Sequence, residues 1–244
     1  MADFLLKIAG HTAAIHSLFD STRDYCRAYL SQEVPETTIS ITPGDLAFEQ
    51  EALYQEALEE GLRPRTFTDP FLDRAAIQRK MAEFLLGKNI LLFHGSAIAV
   101  DGQGYLFTAD CGTGKSTHTR LWRQVFGPRA VMVNDDRPFL ELTGTGVLLH
   151  GAPWSGKHGL DSNLTVPLKG ICILQRGSEN RIVPISPQSA LPMLQKQAGL
   201  YASAAREDTH FSLIQSLSQQ VELWQMACTK DPEAARIAHA AMSK

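Results

Sequence analysis

Residues 109–116 read Ala-Asp-Cys-Gly-Thr-Gly-Lys-Ser, a spacing suited to gripping phosphate. Backbone N–H groups of Gly112, Thr113 and Gly114 can converge on one concavity, Lys115 can reach β- and γ-phosphates, and the Ser116 hydroxyl can ligate Mg²⁺. A helix starting at Lys115 would add its N-terminal dipole to the same anion site. The pattern is of the Walker A type, with Ala109 where the first glycine usually stands. Residues Cys111 through Thr117 are therefore the expected nucleotide contacts.

Phosphoryl transfer needs a carboxylate for the metal and usually a base. Asp135 and Asp136 follow the apolar run Val131-Met132-Val133, the position of a Walker B carboxylate. One could hold Mg²⁺ and the other take the proton from an attacking hydroxyl. Ser116 and Asp135 are the expected metal residues. His94, followed by Gly95, interrupts a strand that is otherwise apolar. It could be a metal ligand or touch the transferring phosphate. The segment Gly151-Ala152-Pro153-Trp154-Ser155-Gly156-Lys157-His158-Gly159 reads as a mobile substrate clamp, with Lys157 its leading participant. Arg137, Arg120, Arg123 and Arg176 are further cations, Arg120 and Arg123 falling on an exposed helix face.

The elements that must position these groups can be read from periodicity. Residues 1–88 form a small α/β region: a strand over 4–8, a helix over 17–30, a strand over 37–42, and helices over 46–60 and 70–86, the last capped by Asp69 and stopped by Gly87. Residues 89–187 are mostly strand. An apolar run over 89–100 turns at Asp101-Gly102-Gln103-Gly104 into a strand over 105–108, so the strand feeding the glycine loop is the second arm of a hairpin. A helix follows over 115–126, ended by Gly127-Pro128, then a strand over 130–133. Hairpins are predicted over 139–150 and over 170–185, the latter turning at Gly177-Ser178-Glu179-Asn180. Residues 188–244 read as an all-helical cap, so that 89–244 make one nucleotide-binding domain.

Composition narrows the class. The 244 residues are 44% hydrophobic and 20% charged with a formal net charge of −3, which suits a globular chain and gives no reason to expect a nucleic-acid partner. No apolar run approaches the roughly 18 residues a membrane span needs. The N-terminus, with Asp3 early and no basic segment before a long apolar run, does not read as a signal peptide. A cytoplasmic location is expected. Cys26, Cys111, Cys172 and Cys228 lie far apart with no CxxC pair and read as free thiols rather than a disulfide framework. Cys111, inside the loop, could be activated by its amides and Lys115.

The order His94-Gly95, then Gly112-Thr113-Gly114-Lys115-Ser116, then Asn134-Asp135-Asp136 resembles the HPr kinase/phosphorylase family of the phosphoenolpyruvate-carboxykinase-like P-loop superfamily. The likeness covers about residues 89–185. It implies an α/β (α+β-like) fold with the P-loop on a mixed, largely antiparallel sheet, a small N-terminal α/β region and a helical C-terminus. It further implies ATP with Mg²⁺ (Mn²⁺ the alternative) and phosphoryl transfer to a hydroxyl of a peptide, protein or small molecule, in an enzyme that can be a homo-oligomer. Asp135 and Asp136 would then supply the base and His94 would lie in the active centre. The chain departs from the family at Val147-Leu148-Leu149-His150-Gly151, where HPr kinases carry a metal-binding Glu. Alternatives are a carboxykinase-type phosphotransferase on a small keto acid and a nucleotide-binding regulatory module without turnover.

Overall fold

The computed structural model describes residues 2–59, 61, 63–198 and 206–244. Internal contacts divide the chain into two units, Met1–Leu85 and Leu86–Lys244.

In the first unit, β1 (Ala2–Ile8) and β2 (His11–Ser17) form an antiparallel hairpin. Ala9 and Gly10 turn it with φ of 49° and 81°, the left-handed pair that matches strand twist. β1 buries Ala2, Phe4, Leu6 and Ile8, the period of two that a one-sided sheet imposes. β3 (Thr37–Ser40) adds to β2 in parallel. The helices are α1 (Asp20–Tyr25), α2 (Pro43–Glu59) and α3 (Asp69–Leu86).

Three expectations need correcting here. The predicted helix over 17–30 shrinks to α1 plus a short 3-10 turn, because the sheet takes both flanks. Ser17 ends β2, while Leu30 bridges Leu6 and Ser31 N–H donates to Leu5 O. β2 itself was not predicted, its alternation being blurred by alanines and histidines. Asp69 lies inside α3 rather than capping it, since Thr68 O accepts from the amides of Phe71 and Leu72. The entry to α2 moves forward to Pro43, where Thr42 and Asp45 form a reciprocal cap: Asp45 N–H donates to Thr42 Oγ1 (3.3 Å) and Thr42 N–H to Asp45 Oδ2 (2.9 Å). Glu60, the predicted end of that helix, lies outside the described residues.

The second unit is built on β4 (Ile90–Leu92), β5 (Ser96–Val100), β6 (Gln103–Thr108), β7 (Ala130–Asn134), β8 (Phe139–Thr143), β9 (Gly146–His150), β10 (Thr165–Arg176), β11 (Arg181–Pro184) and β12 (Glu222–Cys228). Their order is β4-β8-β9-β10-β6-β5-β7, with β12 on β10 and β11 on β12. The sheet is mixed. β10 runs parallel to β6 and β12, and the other pairs are antiparallel. β10 is the shared strand: its first residues pair with β9, Leu168 onward pairs with β6 across a register shift between Leu168 and Gly170, and Gly170 onward pairs with β12.

Two apolar clusters cover opposite faces. Ala97, Ala99 and Leu106 join Leu194 of α5 (Pro187–Ala198) and Ile214 and Leu217 of α6 (Glu207–Gln220). Ile98, Val100, Tyr105 and Phe107 join Leu121 and Trp122 of α4 (Lys115–Phe126) and Ala235 and Ala238 of α7 (Glu233–Met242). Burial of both faces explains why β5 and β6 read as unbroken apolar runs.

The β5–β6 and β8–β9 hairpins form as predicted. The run 89–100 does not stay one strand. It breaks at Phe93–Gly95, β4 pairing with β8 and β5 with β6 and β7. The predicted hairpin over 170–185 does not close, because β12 inserts between β10 and β11 and pairs with both. That strand also overturns the all-helical reading of 188–244. Glu222-Leu-Trp-Gln-Met-Ala-Cys is rich in helix formers, and only the open edge of β10 makes it a strand.

Candidate functional site

β6 and β7 both run antiparallel to β5, so they point the same way, and β10 runs with β6. Their carboxyl ends meet at one end of the sheet: Thr108 lies level with Ile173, Phe107 with Ser96, and Asn134 with Ala97. Most of the residues singled out by sequence emerge here, where open sheets usually hold ligands.

The 109–114 loop joins β6 to α4. Gly112 (φ 72°) and Gly114 (φ 122°) take backbone angles that a side chain would strain. Gly114 is also the N-cap and supplies no side-chain cap, and first-turn amides have no partner within their own helix, a place an anion can fill. Thr113 N–H, expected to face the same concavity, instead donates to Asp110 O at 3.2 Å. Lys115 Nζ donates to Ala109 O at 3.1 Å, folding the ammonium back over the loop. Cys111 is an exposed free thiol.

Asn134, 0% exposed, organises the acidic turn. Its Oδ1 accepts from the amides of Asp136 (2.8 Å) and Arg137 (2.6 Å), and its Nδ2 donates to Ala152 O (2.7 Å) and Trp154 O (3.3 Å). One side chain thus fixes the turn and the following glycine-rich segment together. That segment is anchored rather than loose over Gly151–Trp154, all buried. A Cβ on Gly151 would stand 1.8 Å from Ser162 O, so no other residue fits. The anchoring role of Asn134 was not foreseen, although an Asn ahead of two backbone donors is the sequence mark of an Asx-turn.

The two carboxylates face different surroundings. Asp135 is buried, and Gly156 N–H donates to its Oδ1 at 2.6 Å while Oδ2 is buried with no hydrogen-bond partner among the described residues. Burial raises its pKa, partly offset by the Gly156 amide and the charge of His158, with Asp161 adding to the rise. Asp136 is more open. Its Oδ1 lies 3.4 Å from His94 Nε2 and its Oδ2 lies 3.9 Å from Arg137 Nε. Burial raises its pKa, with the charge of Asp135 adding to the rise, against the opposing pull of Arg137 and Lys115.

His94 sits not within a strand but in the break between β4 and β5, where its amide donates to Gln197 O (2.8 Å) and its carbonyl accepts from Thr108 Oγ1 (3.1 Å). Gly95 N–H donates to Asp136 O at 2.9 Å. Burial, then the charges of Arg137 and Lys115, push the imidazole pKa down to about 3, so the ring is neutral at ordinary pH. Lys115, His94, Asp136 and Arg137 therefore share one electrostatic neighbourhood. Lys157 does not join it by any direct contact given by the structure. It is exposed, one residue beyond the Gly156 that holds Asp135.

Other elements reach the loop in ways not foreseen as contacts. Arg176, expected as a candidate for charge stabilisation, donates from Nη2 to Gly112 O at 2.7 Å. Lys196 Nζ lies 2.6 Å from Asp110 Oδ1, and Gln197 Nε2 lies 3.4 Å from Ala109 O. Nothing in their local sequence marks them. Among the described residues no three His, Cys, Asp or Glu side chains gather as a metal-ligand group. The unpartnered Oδ2 of Asp135 nonetheless fits a Mg²⁺ ion that takes few ligands from protein and most from water and phosphate oxygens.

Residues 79–230 match the family of the SynChlorMet cassette protein ScmC. No curated protein sequence matches the chain. Among solved structures, the HPr(Ser) kinase/phosphatase from Coxiella burnetii aligns at 10% identity over 63% of this chain and 99% of its own, with a TM-score of 0.35. No helix among the described residues is long and apolar enough to cross a membrane.

Proposed function

We propose that this chain, which belongs to the family of the SynChlorMet cassette protein ScmC, is an ATP-dependent, Mg²⁺-requiring phosphotransferase acting on a hydroxyl of a peptide, protein or small molecule. The observation that carries the reading is the meeting of the 109–114 loop, His94 and the Asp135–Asp136 turn at one end of the sheet.

On this reading the amides of Gly112, Gly114 and the first turn of α4 hold the β- and γ-phosphates. Lys115 leaves Ala109 O to bridge them, and Cys111 through Thr117 line the nucleotide. Mg²⁺, held by Ser116 and Asp135 Oδ2, would neutralise phosphate charge. Asp136 takes the proton of the acceptor hydroxyl. A raised carboxylate pKa suits that task, because a base of higher affinity for the proton drives its transfer further. The acceptor oxygen then bonds to the γ-phosphorus as the bond to the ADP oxygen breaks, leaving ADP and a phosphate ester. Neutral His94 orients Asp136, and Lys157 approaches the transferring group from the 156–159 turn.

The test follows label from γ-labelled ATP into acceptor fractions. Lys115→Met should lower transfer by at least about 100-fold while the melting temperature stays near that of wild type. A variant with full activity would refute the mechanism.

A further inference from the structure

The loop has a second cation besides Lys115. β10 continues past the end of β6: Ile173 is level with Thr108, and Leu174, Gln175 and Arg176 run on beside the 109–114 loop. These last residues do not hang free, because β12 pairs with them through Arg176 opposite Cys228, and Gly177 N–H donates to Cys228 O at 3.1 Å. The Arg176 backbone is therefore held by the sheet, while its guanidinium reaches the loop and gives one N–H to Gly112 O. A guanidinium has five donors in a planar fork, and Arg176 is exposed. Among the described residues these remaining donors meet no other hydrogen-bond acceptor, and they can serve a ligand seated at the loop.

Loop carbonyls near this position are turned toward donors. Ala109 O receives Lys115 Nζ and Gln197 Nε2, Asp110 O receives Thr113 N–H, and Gly112 O receives Arg176. An arginine bound to a carbonyl of an anion-binding loop sits on its rim. Planar, permanently charged guanidinium suits phosphate better than the point charge of lysine. Resting on the phosphotransferase reading, the geometry points to Arg176 as a direct contact of the polyphosphate chain. It keeps Nη2 on Gly112 O and offers its other N–H groups to phosphate oxygens.

The test is equilibrium binding of ATP and of inorganic tripolyphosphate to wild type, Arg176→Gln and Arg176→Lys, measured across a range of salt concentrations. Arg176→Gln should weaken both ligands about 10- to 100-fold, the loss of one charge-assisted contact. It should also flatten the salt dependence, because one ion contact has gone. Arg176→Lys should keep the steeper salt dependence and recover part of the affinity. Unchanged affinity in Arg176→Gln would overturn the proposal. So would weaker binding with the wild-type salt dependence, which marks a strut for Gly112 rather than a phosphate contact. Wild type that binds neither ligand would sink the phosphotransferase reading, and this assignment with it.

Discussion

Each unit of this chain buries an aspartate, and the two are treated differently. Asp73 in the first unit is 0% exposed and receives three donors: Ser17 Oγ at 2.7 Å, Thr22 Oγ1 at 2.6 Å and Leu18 N–H at 3.0 Å. Asp135 in the second unit is 4% exposed and receives Gly156 N–H, while its Oδ2 has no hydrogen-bond partner among the described residues. A buried carboxylate costs stability unless its lone pairs are filled. Asp73 repays that cost by tying α3 to the end of β2 and the start of α1. Asp135 does not, and an unfilled carboxylate oxygen persists where a ligand is to complete it. Equal burial therefore marks a structural strut in one unit and a candidate site in the other.

The comparison breaks most visibly at Asp73. Asp73→Ala removes the acceptor shared by Thr22 Oγ1, Ser17 Oγ and Leu18 N–H, leaving only Ser17 with another partner among the described residues, in Phe19 O. It should cost about 3–5 kcal/mol, read as a lower denaturation midpoint. A near-neutral result would make Asp73 no more a strut than Asp135. Asp135→Asn should do the reverse, lowering phosphoryl transfer by about 10²–10⁴-fold through the loss of a metal contact with the melting temperature unchanged or raised. The sign follows from its raised pKa. The native state prefers the proton, so between the ordinary carboxylate value and the raised one stability falls as pH rises, and Asn removes that loss. Clear destabilisation by Asn would show that Asp135 belongs with Asp73.

A smaller effect is expected at His118 of α4, which packs against Phe107 of β6. His118 is buried in an aromatic cluster, accepts Trp122 Nε1–H at 3.0 Å, and burial pushes its pKa down to about 4. The unfolded chain then binds the proton more readily. Stability is full above pH 6.5 and is lost as pH falls from 6.5 through about 4. Melting curves of His118→Gln, which keeps an acceptor for Trp122, should lose less stability over that window. An unchanged acid slope would move the cause elsewhere.

Parts of this arrangement were legible because their information is local. Gly112, Gly114 and Lys115 announce a loop before a helix, and α4 runs over Lys115–Phe126 as its pattern predicts. The β5–β6 and β8–β9 hairpins follow from short turns between apolar runs. Elements whose partners are distant in sequence were misread. Propensity cannot see the open edge of β10 that turns 222–228 into β12. Nor does the apolar run 89–100 reveal that its halves pair with different strands and leave His94 in the gap between them.

The amino-acid sequence by itself determined which groups this protein has for chemistry: a glycine loop followed by lysine and serine, two adjacent carboxylates, a histidine beside a glycine. Each rests on residue types and spacing within one short segment. The tertiary structure decided how they are deployed. Sheet pairing brought the ends of β6, β7 and β10 together, Asn134 locked the acidic turn, and burial raised the pKa of both Asp135 and Asp136. It also carried Arg176 and Gln197 to a loop more than sixty residues earlier in the chain. The physical reason is that burial and pairing depend on neighbours in space, which the order of residues does not display.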